Sequence, residues 1–521
     1  MFLASAALWS PTASGISIGT IQGPGHRSAL EGRRVLEVPG VVTGIREAAG
    51  RHGFWMEAPE EDGDPATSEG IFVRTGELPP QVASGDRVTV TGTVREAEPR
   101  GGGLPITILE VEALVDIRRR EGETTLPPPV VLGPADRSIP AGAIDDDGME
   151  SFDPATDALD FWEALEGMRV RIPEALVIGA TTGYGGLSLL PEGGRDVEGP
   201  RTFRDGLLLE SGDPNPERIQ AVVDPASEAP LLGTGDRFRG SATGIVTYAF
   251  GTYQVRLVRK ETLRILRTER KRDTTELLRK DDRLTVATYN VLNLSAADGE
   301  ERFRRLASSV VRDLGAPDVV ALQEIQDDSG PADDGTVRAE QTLDRLVAAI
   351  RDTGGPSYRW LQIDPVDNAD GGQPGGNIRV AYLVDPSRME VPDRPPGDAR
   401  RAVELEEARD GTVHLDHNPG RIEPGHRCFG AWESEGGSRK PLALETRFRG
   451  SPVFFVNLHL TSKGGDDPLF GLVQPPVRHT EPRRLCQARV VADFLEGLLR
   501  GEPDARVVVL GDFNEFEFRP P

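Results

Sequence analysis

Residues 284–294 read LTVATYNVLNL. The run Leu284–Tyr289 is apolar and β-branched enough for a buried strand, and it gives way to Asn290 and Asn293. The same construction recurs downstream. DVVALQEI (318–325) is an apolar strand reaching Glu324, VFFVNLHL (453–460) carries Asn457 and His459, and RVVVLGDFN (506–514) ends in Asp512 and Asn514. Apolar strands that finish in polar residues bring those residues to one rim of a sheet. Helical patterns lie between them. Phe303, Leu306, Ala307 and Val310 share a face of 300–314, and Leu343, Leu346, Val347 and Ile350 share a face of 339–351. Thr480 caps a helix running to about Leu499, with Leu485, Ala488, Ala492 and Leu495 predicted inward. Tyr358–Ile363, Ile378–Val384 and Leu442–Phe448 add strands, and 391–435 reads as an irregular insertion. Strands interleaved with helices predict a layered α/β domain over 283–521.

Toward the N-terminus the pattern changes. Short strands with turn punctuation fill 15–120, including Asp86–Val94 (DRVTVTGTV) with period two. Residues 121–158 read as a linker containing Pro127-Pro-Pro129 and Asp145-Asp-Asp147; the three aspartates read first as a solvated acidic loop, with calcium binding as the lesser alternative. A second all-β unit is expected over 159–267, then a charged linker over 268–282. Residues 1–14 are apolar and small like the end of a secretion signal, though without a basic start; a frayed terminus reads equally well. No apolar run is long enough to span a membrane.

Of 521 residues, 60 are Lys or Arg and 84 are Asp or Glu, a net charge of −24 spread along the chain. A uniformly basic nucleic-acid wrapper is excluded, so a site for polyanions needs a local patch or a metal ion. The two cysteines, Cys428 and Cys486, exclude a multi-disulfide scaffold and a four-cysteine zinc site, and leave open one bridge or none.

The rim residues suit phosphodiester hydrolysis. Glu324 is a natural ligand for hard Mg2+, which takes few carboxylates plus water and phosphate oxygen. The amides of Asn290 and Asn514 can hold phosphate or metal-bound water without adding charge. Asp512 can orient an attacking water, and His459 can hydrogen-bond a phosphoryl group or move a proton. Singly, each has a plain structural reading; the ordered set is what carries weight.

ATYNVLNL, DVVALQEI, NIRVAYL, NLHLTSKGGDDPLFG and VVVLGDFNEFEF together resemble the endonuclease/exonuclease/phosphatase superfamily over about 283–516. GTIQGPGHRSALEG, GFWMEAPEEDGDPATSEGIFV, LDFWEALEGMRVRIPEALVIG and VTYAFGTYQVRLV are similar to the leader of bacterial extracellular nucleases. The resemblance implies two OB-fold-like β units followed by an α/β four-layer sandwich. It implies an extracellular or cell-surface nuclease dependent on Mg2+, with Mn2+ or Ca2+ as other candidates, acting on DNA ahead of RNA. It places Asn290 and Glu324 at the metal, and His459, Asp512 and Asn514 in catalysis. Asn293, Arg379 and Lys463 are expected at the substrate, a plain surface arginine being the alternative for Arg379; Asp466 and Asp467 shape the loop beside Lys463.

The superfamily pattern continues past GD-x-N to a closing Ser-Asp-His that supplies a general base. Nothing after Asn514 matches it, so the sandwich is expected to be incomplete at its C-terminus and the chain as given nearly inactive, since losing an acid–base group costs ~10²–10⁴-fold. Two other readings compete: a phosphatase or lipid phosphodiesterase on the same fold, and a non-catalytic nucleic-acid or surface-binding protein.

Overall fold

The computed structural model describes residues 13–47, 52–120, 125–134, 136–195, 197, 199–223, 225–257, 264–409, 411–430 and 437–518. Most of the stretch read as a signal remnant lies outside these. The chain divides into two compact units: one runs up to Glu269 and takes in Asp467–Val477, the other comprises Arg270–Asp466 and the chain from Arg478. The first is a β region and the second a mixed α/β domain.

The first unit contains two sheets. In one, Arg34–Arg46 pairs with both His52–Glu57 and Arg87–Ala97, and Gly70–Gly76 runs parallel to Ile106–Glu110. With the antiparallel pairs 52–57 to 70–76 and 87–97 to 106–110, five strands close into a ring. Full closure removes free strand edges. Alternate residues Val38, Val42, Phe54, Met56, Ile71, Val73, Val88 and Val90 fill its interior. The other sheet has nine strands between Val130 and Leu266. Its core draws in Leu132, Ile139 and Ile144, from the stretch read as linker, because those apolar residues find a partner face there.

The second unit is built on strands β1 (Val286–Leu294), β2 (Val319–Ile325), β3 (Arg359–Leu361), β4 (Arg379–Val384), β5 (Leu442–Phe448), β6 (Ser451–His459) and β7 (Arg506–Asp512). Its helices are α1 (Glu300–Ser308), α2 (Glu340–Asp352) and α3 (Glu481–Gly501). One sheet has the order β1-β2-β4-β3, and the other contains β5-β6-β7. Parallel pairing of β1 with β2 and of β6 with β7 follows from the helical crossovers α1 and α3.

Even and odd residues of the central strands serve different cores. Val320, Leu322, Ala381 and Leu383 meet Phe303, Ala307, Leu343, Leu346 and Ile350 of α1 and α2. Val319, Ala321, Val380, Tyr382 and Val384 instead meet Leu444, Val453, Phe455 and Leu510 of the second sheet. Phe454, Val456 and Leu458 face Val490, Val491 and Leu498 of α3. The inward face of α1 and α2 is as the periodicity predicts. That of α3 is rotated: Arg484, Gln487, Val490, Val491 and Leu498 are buried, while Leu485 is exposed. The cause is polar. Arg484 binds Glu515 at 2.8 Å, and Gln487 accepts from the Thr461 amide at 2.9 Å and donates to the Cys428 carbonyl at 3.1 Å. A disulfide joins Cys428 to Cys486 of α3.

Candidate active site

The rim of the second unit is shaped by bulges. Pairing of β1 with β2 shifts register between Asn290 and Leu294, and pairing of β2 with β4 shifts between Leu322 and Ile325. A bulge re-aims side chains and often sits beside a functional site. Leu292, Asn293 and Glu324 have φ of 57°, 56° and 62°, a conformation that costs a non-glycine residue of order 1 kcal/mol. Gly511 serves a related need. At φ 138° it lies so close to β6 that a Cβ would meet the Leu458 carbonyl oxygen at 2.1 Å. Only glycine permits that approach, and it brings the neighbouring Asp512 level with His459 in register.

These distortions converge on one cluster. Asn290 donates from Nδ2 to Glu324 Oε1 at 3.0 Å and to Asp512 Oδ2 at 3.0 Å, bridging two carboxylates from opposite sheets. His459 Nε2 lies 3.9 Å from each of the same oxygens. Asn290 Oδ1 accepts from the Leu292 amide at 2.9 Å, which orients its amide group. Asp512 Oδ1 accepts from the Asn514 amide at 3.0 Å, and Asn514 Nδ2 donates to the Leu460 carbonyl at 3.0 Å.

Beneath the cluster, Gln323 donates to Asn457 Oδ1 at 2.7 Å, and Asn457 donates to the Leu322 and Ala381 carbonyls at 3.1 and 3.0 Å. This buried network ties the two sheets together next to the residues they present. Asn457, read with His459 from the sequence, is thus a positioning residue.

Arg439 was not visible as a site residue from the sequence. It is buried, donates to the Leu460 carbonyl at 2.7 Å, and its charge acts on His459. Burial first, then Arg439, push the His459 imidazole down to about 3, against the pull of Asp512. The ring is therefore neutral at pH 7. Its Nδ1 is buried without a hydrogen-bond partner, as is Arg439 Nε. Next to Arg439, Lys440 meets Asp370 at 2.8 Å, and Arg421 meets the same carboxylate at 3.0 Å.

Glu324, His459 and Asp512 each place one ligand atom within 4.8 Å of the others, and Asn290 bridges the two acids. Two close carboxylates joined by an amide, with a neutral imidazole beside them, make a donor set that fits a hard divalent cation. Asn293 lies in the bulged segment with its Oδ1 buried and unpartnered. Lys463 packs its ammonium 5.0 Å from the Phe516 ring centre, where Arg478 also lies at 4.9 Å.

Arg379 is not brought into the cluster. It is 1% exposed, donates to the Asn377 and Val337 carbonyls, and pairs with Asp364 at 2.8 Å. Its guanidinium is buried and turned to these groups rather than to the carboxylate cluster.

Residues 287–520 match the Endonuclease/Exonuclease/phosphatase family, and residues 131–266 match a domain of unknown function (DUF8508). No curated protein matches the chain. Among solved structures, D. rerio TDP2 complexed with a single-strand DNA product is similar at 18% identity, over 45% of this chain and 62% of that one, with a TM-score of 0.25. A β-hairpin deletion mutant of Staphylococcus aureus beta toxin is similar at 14% identity, over 46% and 69%, with a TM-score of 0.26. The human Nocturnin catalytic domain is similar at 14% identity, over 44% and 65%, with a TM-score of 0.24. Against TDP2 of C. elegans the chain spans about half of the relative's length, 48%. Ordered strand-end motifs, the bridged carboxylates and the family match agree, and residues 287–520 belong to the endonuclease/exonuclease/phosphatase family.

Proposed function

We propose that the second unit is a divalent-metal-dependent phosphodiester hydrolase acting on nucleic acid, DNA ahead of RNA, in an extracellular or cell-surface setting. The observation that carries it is the Asn290 amide holding Glu324 and Asp512 together at 3.0 Å each, with His459 at 3.9 Å from both. Glu324 and Asn290 hold the cation, Mg2+ or Mn2+. When bound, it polarises a phosphoryl oxygen and offsets the charge of the two acids.

The chain's own groups do the rest. Asp512 is fixed through both oxygens, by Asn514 and Asn290, so it can hold and orient an attacking water. His459, kept neutral, offers one N–H to a phosphoryl oxygen. The Arg439 charge behind it favours the added negative charge of the transition state. Leu292 and Phe513, 72% and 42% exposed, stand beside Asn290 and Asp512 and offer apolar surface to a base. Lys463, Arg478 and Phe516 combine cation and aromatic in the way single-strand binders do. That patch favours nucleic acid over a lipid headgroup. The five-strand ring of the first unit suits an OB-fold-like nucleic-acid module, and the layers of the second suit a four-layer sandwich. The Cys428–Cys486 bond is at home in an oxidising compartment.

The test is plasmid nicking at micromolar protein over hours, with Mg2+ or Mn2+ and with excess EDTA. Cleavage that requires the metal and vanishes with Glu324→Gln supports the reading. Cleavage unaffected by either, or no cleavage of DNA or RNA by folded protein, overturns it.

A further inference from the structure

The first unit contains a second convergence of carboxylates, unrelated to the site above. Asp145, Asp147 and Asp157 each bring an oxygen within 4.8 Å of the others. Exposed acids often cluster without consequence, but Asp157 is not exposed. It is 2% accessible, and its Oδ1 has no hydrogen-bond partner. It also occupies the residue before the helix Ala158–Glu163, where an aspartate ordinarily accepts from the first turn, yet it makes no such bond. One of its carboxylate oxygens lies within 4.8 Å of an oxygen of each of the other two acids.

No Lys, Arg or His among the described residues is ion-paired with Asp145, Asp147 or Asp157. The nearby imidazole of His26 is already taken by Asp160 at 2.7 Å and Glu163 at 3.0 Å. A buried unpaired carboxylate is costly unless a proton or a cation joins it.

We infer that the loop 145–157 is a calcium site, with Asp145, Asp147 and Asp157 as its carboxylate ligands. The loop is prepared for this. Its mouth is closed by the Ala158 and Leu159 amides donating to the Ala143 and Ile144 carbonyls at 3.2 and 3.0 Å. Asp145 accepts from the Gly148 and Met149 amides, and Asp147 from the Glu150 and Ser151 amides, which fixes both carboxylates and leaves each oxygen a further lone pair. Three carboxylates on an irregular loop suit Ca2+, which takes six to eight oxygens in flexible geometry, better than Mg2+, which demands an octahedron and keeps its water. Bound there, Ca2+ ties the loop to Ile144, Leu159 and the core beneath. The role is structural and separate from hydrolysis.

The experiment is calorimetric titration of the full chain with CaCl2 and MgCl2, paired with thermal unfolding. The wild type is expected to bind Ca2+ and to unfold roughly 5 °C higher at about 100 times its Kd. Asp157→Asn and Asp147→Asn should each weaken binding at least ~10-fold, on the scale of a disturbed metal shell, and remove the shift. Asp147 is only part-buried, so its variant guards against a simple folding defect at Asp157. Glu324→Gln should keep both. Loss of calcium binding in Glu324→Gln, its survival when either aspartate variant is combined with Glu324→Gln, a response to Mg2+ equal to that to Ca2+ in Glu324→Gln, or no response to Ca2+ in folded protein would each overturn the assignment.

Discussion

Among the described residues, two trios of one histidine and two carboxylates are opposite in character. In the first unit, His26 gives Nε2 to Asp160 at 2.7 Å and Nδ1 to Glu163 at 3.0 Å. Burial opposes its charge, but the two hydrogen bonds and the two acids raise the ring to about 9. In the second unit, His459 stands 3.9 Å from Glu324 and Asp512, has Arg439 behind it, and falls to about 3. An angstrom of separation and one buried arginine turn the same three groups from a closed ion triad into a neutral imidazole beside two acids. The first trio satisfies itself and holds structure. The second keeps donor capacity in reserve, as an orphaned Nδ1 and two acids bridged only by an amide.

The largest effect expected from breaking this contrast is at Glu324. Glu324→Gln should lower metal-dependent cleavage at least ~10³-fold, read by plasmid nicking, with the unfolding midpoint little changed. His26→Gln should do the reverse. It leaves Asp160 and Glu163 buried without their cation and should cost about 3 kcal/mol in urea unfolding, with nicking per folded molecule preserved.

The pH dependence has a definite sign. His26 has a folded value of about 9 against 6.5 unfolded, so its stabilisation is complete below about 6.5 and is lost as pH rises through 9. Unfolding midpoints from pH 7 to 10 should fall more steeply for the wild type than for His26→Gln; parallel curves would remove the charged triad. A smaller loss is expected at Asn290. Asn290→Ala frees Glu324 and Asp512 from their bridge and should weaken Mn2+ binding by ~10–100-fold in calorimetry. Smallest is Lys463→Ala, which should reduce the salt slope of DNA binding by about 1 without changing metal affinity.

What was legible in the sequence was what the strand period exposes. Asn290, Glu324, His459 and Asp512 end apolar runs, so their shared rim could be read before any contact was known. The inward faces of α1 and α2 follow from apolar spacing alone. α3 was misplaced because Arg484 and Gln487 are buried by specific bonds to Glu515, Thr461 and Cys428, and polar pairing leaves no hydropathy signal. Arg379 reads as a phosphate contact or a surface cation until the Asn377 and Val337 carbonyls and Asp364 are seen around it. Arg439 escaped notice for the opposite reason: it precedes a strand instead of ending one, and its proximity to His459 is purely tertiary. The His26 triad joins residues more than 130 positions apart with no shared motif.

The most direct measurement is an anomalous difference map from crystals of the full chain soaked in MnCl2. The account predicts a peak at coordination distance from Glu324 beside the Asn290 amide, lost in Glu324→Gln crystals. A well-ordered structure with no manganese at Glu324, or with the peak unchanged in that variant, would contradict it.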